Sequence, residues 1–251
     1  MGNRRPLIAG NWKMFKTGPE AREAAAALKE LTAGTDAVDV MIAPPFTALC
    51  PVHEAIAGSH IHLGAQNLHW EKEGAFTGEV APAMLKAAGC THVIIGHSER
   101  RQYFGETDST VNNKIRAAIA EDLVPVFCIG ETEGDREAGN TFSVLEGQIR
   151  EGLAALAAGD LAKLVIAYEP VWAIGTGKTA TPAQVQEVHA FIRGLAEQLL
   201  GNLLAKSMRI LYGGSVKPDN VSELMALEDV DGALVGGASL DPGTFSKIVG
   251  Y

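Results

Sequence analysis

Eight short runs of apolar and β-branched residues recur along the chain: LIAGNW (7–12), VDVMIAPP (38–45), IHLGAQN (61–67), HVIIGH (92–97), VPVFCIG (124–130), LVIAYEP (164–170), MRILYGG (208–214) and GALVGG (232–237). They are continuous rather than alternating, the pattern of strands buried on both faces in a parallel sheet. Helix signals lie between them. Thr17-Gly-Pro-Glu20 and Thr181-Pro-Ala-Gln184 fit capping boxes, in which the first and fourth residues satisfy each other's free backbone N–H groups. Asp241-Pro242 places an N-cap before a proline at the first helical position. Val185, Val188, Ile192, Leu195 and Leu199 follow the three-four spacing of one apolar helix face. Phe142, Leu145, Ile149, Leu153 and Leu156 predict the same for the helix before it.

Eight strand–helix units in this length predict an α/β chain folded as a (β/α)8 barrel. The competing architecture is an open doubly wound sheet; the even run of units to the last strand favours the barrel. No Pro/Ser-rich linker or shift in composition divides the sequence, so residues 1–251 are expected to form a single domain.

Composition narrows the partners. With 47% hydrophobic and 20% charged residues the 251-residue chain has ample apolar material for a large core. Its formal net charge of −9 and lack of a basic block argue against nucleic acid and anionic membrane. Any anion it binds must be held by local positive potential. The opening MGNRRPLIAGNWKM is not expected to be a signal peptide, because its apolar run is short and breaks at Asn11. No run approaches the length of a membrane helix. Cys50, Cys90 and Cys128 are odd in number and widely spaced, which reads as free thiols in a reducing, cytoplasmic setting.

In a (β/α)8 barrel the strand C-termini carry the chemistry. Here those ends read NWK, PP, QN, HSE, CIGE, EP, GGS and GG, which gathers polar, reactive and glycine residues at one rim. Taken singly, Glu169 is a solvated strand-end carboxylate, His97 a satisfied structural imidazole and Lys13 a surface charge. Their shared rim, with Asn11 beside Lys13, raises all three. Trp12 reads as a packing anchor. Cys128 reads as core lining with no base to activate it. His60 and His62 fit no metal-ligand spacing, and no metal is expected. GTGKT lacks the first glycine of a P-loop, since Trp172 stands there. GTGKTA follows its strand too late for a dinucleotide fingerprint. No organic cofactor is expected either. The pairs in GGS (213–215) and GG (236–237) are better placed for an anion, because barrels often bind phosphate with the loops after strands seven and eight.

The segments AGNWKM, GAQN, GAFTGEVAP, IIGHSERR, CIGE, AYEPVWAIGTGKTATP, ILYGGSVKPDN and DGALVGGASL resemble the triosephosphate isomerase family over essentially the whole chain. The resemblance implies the fold known as the TIM barrel. It also implies interconversion of dihydroxyacetone phosphate and D-glyceraldehyde 3-phosphate, the aldose–ketose step of glycolysis and gluconeogenesis. Glu169 matches the family's base, His97 its electrophile, and Asn11 and Lys13 its substrate-binding pair. Gly175, Ser215, Gly236 and Gly237 match its phosphate contacts, and Glu99 a carboxylate behind them. A homodimer is implied, with Thr77 reaching a partner's site. PVWAIGTGK (170–178) is expected to close as a lid, Pro170 stiffening its entry and Gly175 and Gly177 permitting the movement.

Two rival readings keep the same fold: a Schiff-base aldolase using Lys13, and a barrel that binds a phosphate ligand without turning it over. Phe15 and Gly134 depart from the family's pattern and leave the local structure of their loops open.

Overall fold

The computed structural model describes residues 4–174 and 178–251. Strands β1 (Leu7–Asn11), β2 (Asp39–Ala43), β3 (Ile61–Ala65), β4 (His92–Ile95), β5 (Val124–Ile129), β6 (Val165–Tyr168), β7 (Arg209–Tyr212) and β8 (Gly232–Val235) close into a parallel barrel in chain order. β8 returns to β1 with Leu7 opposite Gly232 and Gly10 opposite Val235. The open doubly wound alternative is thereby excluded.

The continuous apolar runs follow from two cores on the two faces of one sheet. Leu7, Ala9, Met41, Ile94, Val126, Ala167 and Leu234 belong to a cluster that fills the barrel. Their neighbours Ile8, Val40, Ile42, Val93, Phe127 and Ile166 pack outward under the helices. Because successive side chains of a strand alternate faces, both sets must be apolar.

The helices are α1 (Gly18–Leu31), α2 (Leu49–Ala55), α3 (Pro82–Ala87), α4 (Ser98–Phe104), α5 (Asp108–Ala120), α6 (Glu133–Glu137), α7 (Thr141–Gly152), α8 (Pro182–Leu200), α9 (Asn202–Ser207), α10 (Val221–Met225) and α11 (Pro242–Val249). The expected caps are present. Glu20 accepts from the Thr17 N–H at 2.7 Å, Thr181 and Gln184 bond reciprocally, and Asp241 accepts from the Thr244 N–H at 2.7 Å. Gly134 does not prevent α6, because Thr132 and Asp135 cap it reciprocally. Phe15 is exposed on the loop after β1. α7 stops earlier than its apolar spacing predicts. Ala155 takes a left-handed φ of 54°, which turns the chain, so Leu156 reaches the core from the turn beyond the helix. Trp12 is buried in the outer core, as its anchor reading requires. Among the described residues no helix is long and apolar enough to cross a membrane.

Candidate active site

The ends of β1, β4, β6, β7 and β8 converge on one cavity of about 280 Å³. Asn11, Lys13, His97, Glu169, Ser215, Gly236 and Gly237 all line it, joined by Gly214 and Lys217. Sequence expectation and geometry therefore bring the same side chains to one place. Gly175 lies outside the described residues. Thr77 is exposed on the long loop after β3 and lines a different cavity, with Trp70, Phe76 and Phe104.

Each group is fixed by its own element. Glu169 directly follows β6, and its N–H donates to the Ile129 carbonyl at 2.7 Å. A side chain on Gly213 would place its Cβ 2.8 Å from Glu169 Cγ, and one on Gly130 would meet the Glu169 carbonyl oxygen. Bare backbone on both flanks is what lets a glutamate occupy a strand end this crowded. His97 is the N-cap residue of α4. Lys13 takes a left-handed φ of 51°, a conformation that costs a non-glycine residue about 1 kcal/mol or more. Neighbours hold it there: the Asn11 Oδ1 accepts from the Lys13 N–H at 3.0 Å, and Gln66 donates to the Lys13 carbonyl at 2.8 Å.

The central contact joins His97 Nε2 to Glu169 Oε1 at 2.9 Å. The Ser98 N–H donates to Glu169 Oε2 at 3.0 Å, so both carboxylate oxygens are engaged. On the other side of the ring, His97 Nδ1 accepts from the Glu99 N–H at 3.2 Å. A nitrogen that accepts carries no hydrogen, so the imidazole is the Nε2–H tautomer and donates to Glu169. Both groups are almost completely buried. Burial works against the Glu169 carboxylate, but the His97 ring, the Ser98 N–H and the Lys13 ammonium outweigh it and hold its pKa below the ordinary value. Burial likewise opposes an imidazolium at His97, and the Glu169 carboxylate outweighs it and raises the ring's pKa. Lys13 Nζ pairs with Glu99 Oε1 at 2.5 Å. Cys128 is fully buried in the barrel core, and burial pushes its thiol well above the ordinary range, which suits packing rather than nucleophilic attack.

Glu131 was not singled out by its sequence position. It is fully buried beyond β5, and its Oε1 accepts from Tyr168 Oη (3.1 Å), Trp172 Nε1 (2.9 Å) and Arg136 Nη1 (3.1 Å). The Arg136 guanidinium also lies 4.8 Å over the Trp172 ring. One buried carboxylate thus ties the turn Val171–Ala173 to the strand that bears Glu169. The CIGE end of the fifth run contained this signal, as a carboxylate that ends an apolar strand.

Comparison with known proteins agrees with this geometry. The family model described as triosephosphate isomerase matches residues 6–251. The triosephosphate isomerase of Geobacter metallireducens is 61% identical over 248 residues, covering 99% of both chains. That of Citrifermentans bemidjiense is 58% identical with the same coverage. The crystal structure of triosephosphate isomerase from Bartonella henselae superposes with a TM-score of 0.88 at 42% identity, over 97% of each chain. Full-length identity of this order, on a closed barrel whose strand ends gather a buried glutamate, an imidazole and an ammonium, establishes that the chain belongs to the triosephosphate isomerase family.

Proposed function

We propose how the residues of this site divide the work of the family's reaction, the interconversion of dihydroxyacetone phosphate and D-glyceraldehyde 3-phosphate. Moving a carbonyl by one carbon requires a base to take a carbon-bound proton and return it to the neighbouring carbon. Glu169 is that base. Its depressed pKa keeps it ionised near neutrality, and its burial keeps water from competing for it. The observation that carries this reading is the 2.9 Å contact of Glu169 with an imidazole nitrogen that must be a donor. When the carboxylate leaves to meet substrate carbon, the same Nε2–H becomes available to a substrate oxygen. His97 then stabilises the enediolate and relays its proton. Lys13 supplies the compensating charge and Asn11 a dipole. Lys13 Nζ is engaged by Glu99 Oε1 at 2.5 Å, whereas a Schiff-base aldolase needs its amine free to attack a carbonyl.

The phosphate takes no part in the bond changes, and its binding energy positions the reacting carbons. Ser215, Gly236 and Gly237, with Gly175 of the lid, are its contacts. The segment 170–178, of which 175–177 lie outside the described residues, is read as a lid that excludes water from the enediolate, which otherwise expels phosphate. Trimming residues 173–176 should slow isomerisation and raise the share of methylglyoxal and inorganic phosphate. Slow isomerisation without extra phosphate release would reduce the segment to a positioning role.

The decisive assay for the base is exchange of a substrate carbon-bound hydrogen into heavy water. Exchange alongside isomerisation is expected, and saturable binding without exchange would leave only a phosphate-binding barrel. We further infer a homodimer. Exposed Phe76 and Phe104 line one cavity with Thr77, and exposed Met14 lines another with Phe104, an apolar patch of the kind that marks interaction surfaces. Insertion of Thr77 at a partner's Asn11 and His97 covers it. A fully active monomer in sedimentation at low concentration would contradict this. The three cysteines are free, in keeping with a cytoplasmic location.

A further inference from the structure

A second cavity, of about 310 Å³, opens at the opposite mouth of the barrel, where the strands begin. Strand length places it roughly 15 Å from the Glu169 end. Asp39, His62, His92 and Arg209, from four different strands, line it, with Lys163 at the rim.

The polar groups at this mouth are unbalanced toward donors. Among the described residues Asp39 is the one carboxylate lining the cavity, and both its oxygens are engaged, Oδ1 by Arg5 Nε at 2.7 Å and Oδ2 by Arg209 Nη1 at 2.8 Å. The guanidinium has further N–H groups with no partner among the described residues. His62 makes no hydrogen bond among them. His92 is 4% exposed and uses only Nδ1, which lies 2.7 Å from the Thr91 hydroxyl. The two rings meet at 4.9 Å between centroids. Neither ring has a nitrogen that is both buried and unpartnered among the described residues, so the remaining ring nitrogens are open to the cavity. A metal ion is a poor match for this mouth. The Arg209 guanidinium faces the rings, and no group of three His, Cys, Asp or Glu is arranged for metal binding among the described residues.

We propose that the N-terminal mouth of the barrel is a binding site for a small oxyanion, held by the Arg209 guanidinium and by N–H groups of His62 and His92. The anion selects the tautomer with hydrogen on His92 Nε2, and the Thr91 hydroxyl, which otherwise donates to the Leu63 carbonyl at 3.3 Å, then turns its hydrogen to His92 Nδ1 at 2.7 Å. On a protein of net charge −9 such a site depends on local potential. Arg5 and Arg209 against Asp39 leave this mouth positive, and Lys163 is paired with Asp122.

The site is linked to pH. Burial holds both rings neutral, His92 down to about 3. Asp39, Arg209, His60 and Arg5 face His62, while His62 and Arg209 face His92. His92 stays neutral in the bound form, and a bound anion favours the protonated form of His62, so affinity rises as pH falls.

Imidazole NMR resonances of His62 and His92, assigned with His62→Gln and His92→Gln, report this mouth and not the Glu169 cavity. Titration with inorganic phosphate at pH 8 should shift both rings saturably, and sulfate, whose charge does not change between pH 6 and pH 8, should bind severalfold more tightly at pH 6. Arg209→Lys should weaken the titration severalfold while isomerase activity is kept. A parallel titration with malonate at equal ionic strength separates the two oxyanion classes. Saturation by phosphate alone marks a tetrahedral anion, and saturation by malonate marks a carboxylate. Rings unmoved by both, a linear drift without saturation, or undiminished binding in Arg209→Lys would overturn the proposal. Should Arg209→Lys fail to fold, His62→Gln at a partly exposed position serves instead, with loss of saturation read at His92.

Discussion

Gly213→Ala tests the crowding around the base. The added methyl would stand 2.8 Å from Glu169 Cγ and 3.1 Å from the Tyr168 carbonyl oxygen. Carbon atoms in van der Waals contact sit about 3.5–4.0 Å apart, so the pair must separate by roughly 1 Å. Gly213 itself has little freedom to retreat, because its N–H bonds the Tyr168 carbonyl at 2.7 Å. The backbone of Glu169 is blocked on its other flank, where even a methyl on Gly130 would collide with its carbonyl. The displacement therefore falls on the glutamate side chain. A misplacement of about 1 Å costs on the order of a hundredfold in rate, or about 3 kcal/mol of barrel-held positioning. We expect kcat to fall by that factor while KM stays within about threefold, measured in a coupled isomerisation assay. A thermal melt should show that the variant folds. A variant with near-parent kcat would refute the reasoning. So would a raised KM at unchanged kcat, which would mean that the strain passes into the loop after β7.

Glu169→Asp keeps the charge but withdraws the carboxylate by about one bond length, and turnover should drop on the order of a hundredfold with binding of a substrate analogue preserved. Glu131→Gln keeps an acceptor oxygen but removes the negative charge that Tyr168, Trp172 and Arg136 share. It should lower kcat and increase phosphate release during turnover, with the stability cost of about 1–3 kcal/mol expected for a buried charged acceptor read by urea unfolding. Acid should destabilise the fold through two buried imidazoles, His92 with a pKa near 3 and His189 near 4. Below about pH 6.5 the unfolded chain takes protons that these rings refuse, so the stability is whole above that pH and declines toward the folded values. By pH 5 each ring accounts for about 2 kcal/mol. Urea midpoints at pH 7.5 and 5.0, compared with those of His189→Gln, measure it.

Much of this architecture was legible as pattern. The eight continuous runs located every strand, because a barrel buries both faces and so demands apolar residues at successive positions. Capping residues located the starts of α1, α8 and α11. The short helices α3, α9 and α10 span too few turns to show a face. The end of α7 was set by a backbone reversal at Ala155 that apolar spacing does not encode. At the site, residue types, rim position and the family resemblance singled out Asn11, Lys13, His97 and Glu169, which share one cavity. The tautomer of His97 depended on an N–H from Glu99, the left-handed turn at Lys13 on Gln66 from another strand, and the role of Glu131 on three donors meeting in space. Such facts arise only when segments distant in sequence are brought together.

The pairing of β8 with β1 has a consequence for assembly. Arg4 and Asp231, 227 residues apart, meet in an ion pair at 2.5 Å beside that seam. Closing so long a loop costs about 5 kcal/mol of chain entropy, to be recovered only after the intervening strands have docked. Asn11 and Lys13 stand on one side of the seam, and Gly236 and Gly237 on the other. The cavity is therefore incomplete until β8 docks. A chain whose eighth strand has not docked lacks Gly236 and Gly237, so a ligand that needs them favours only the closed barrel. The first seven strands must be kept from aggregating by their own packing until the eighth arrives.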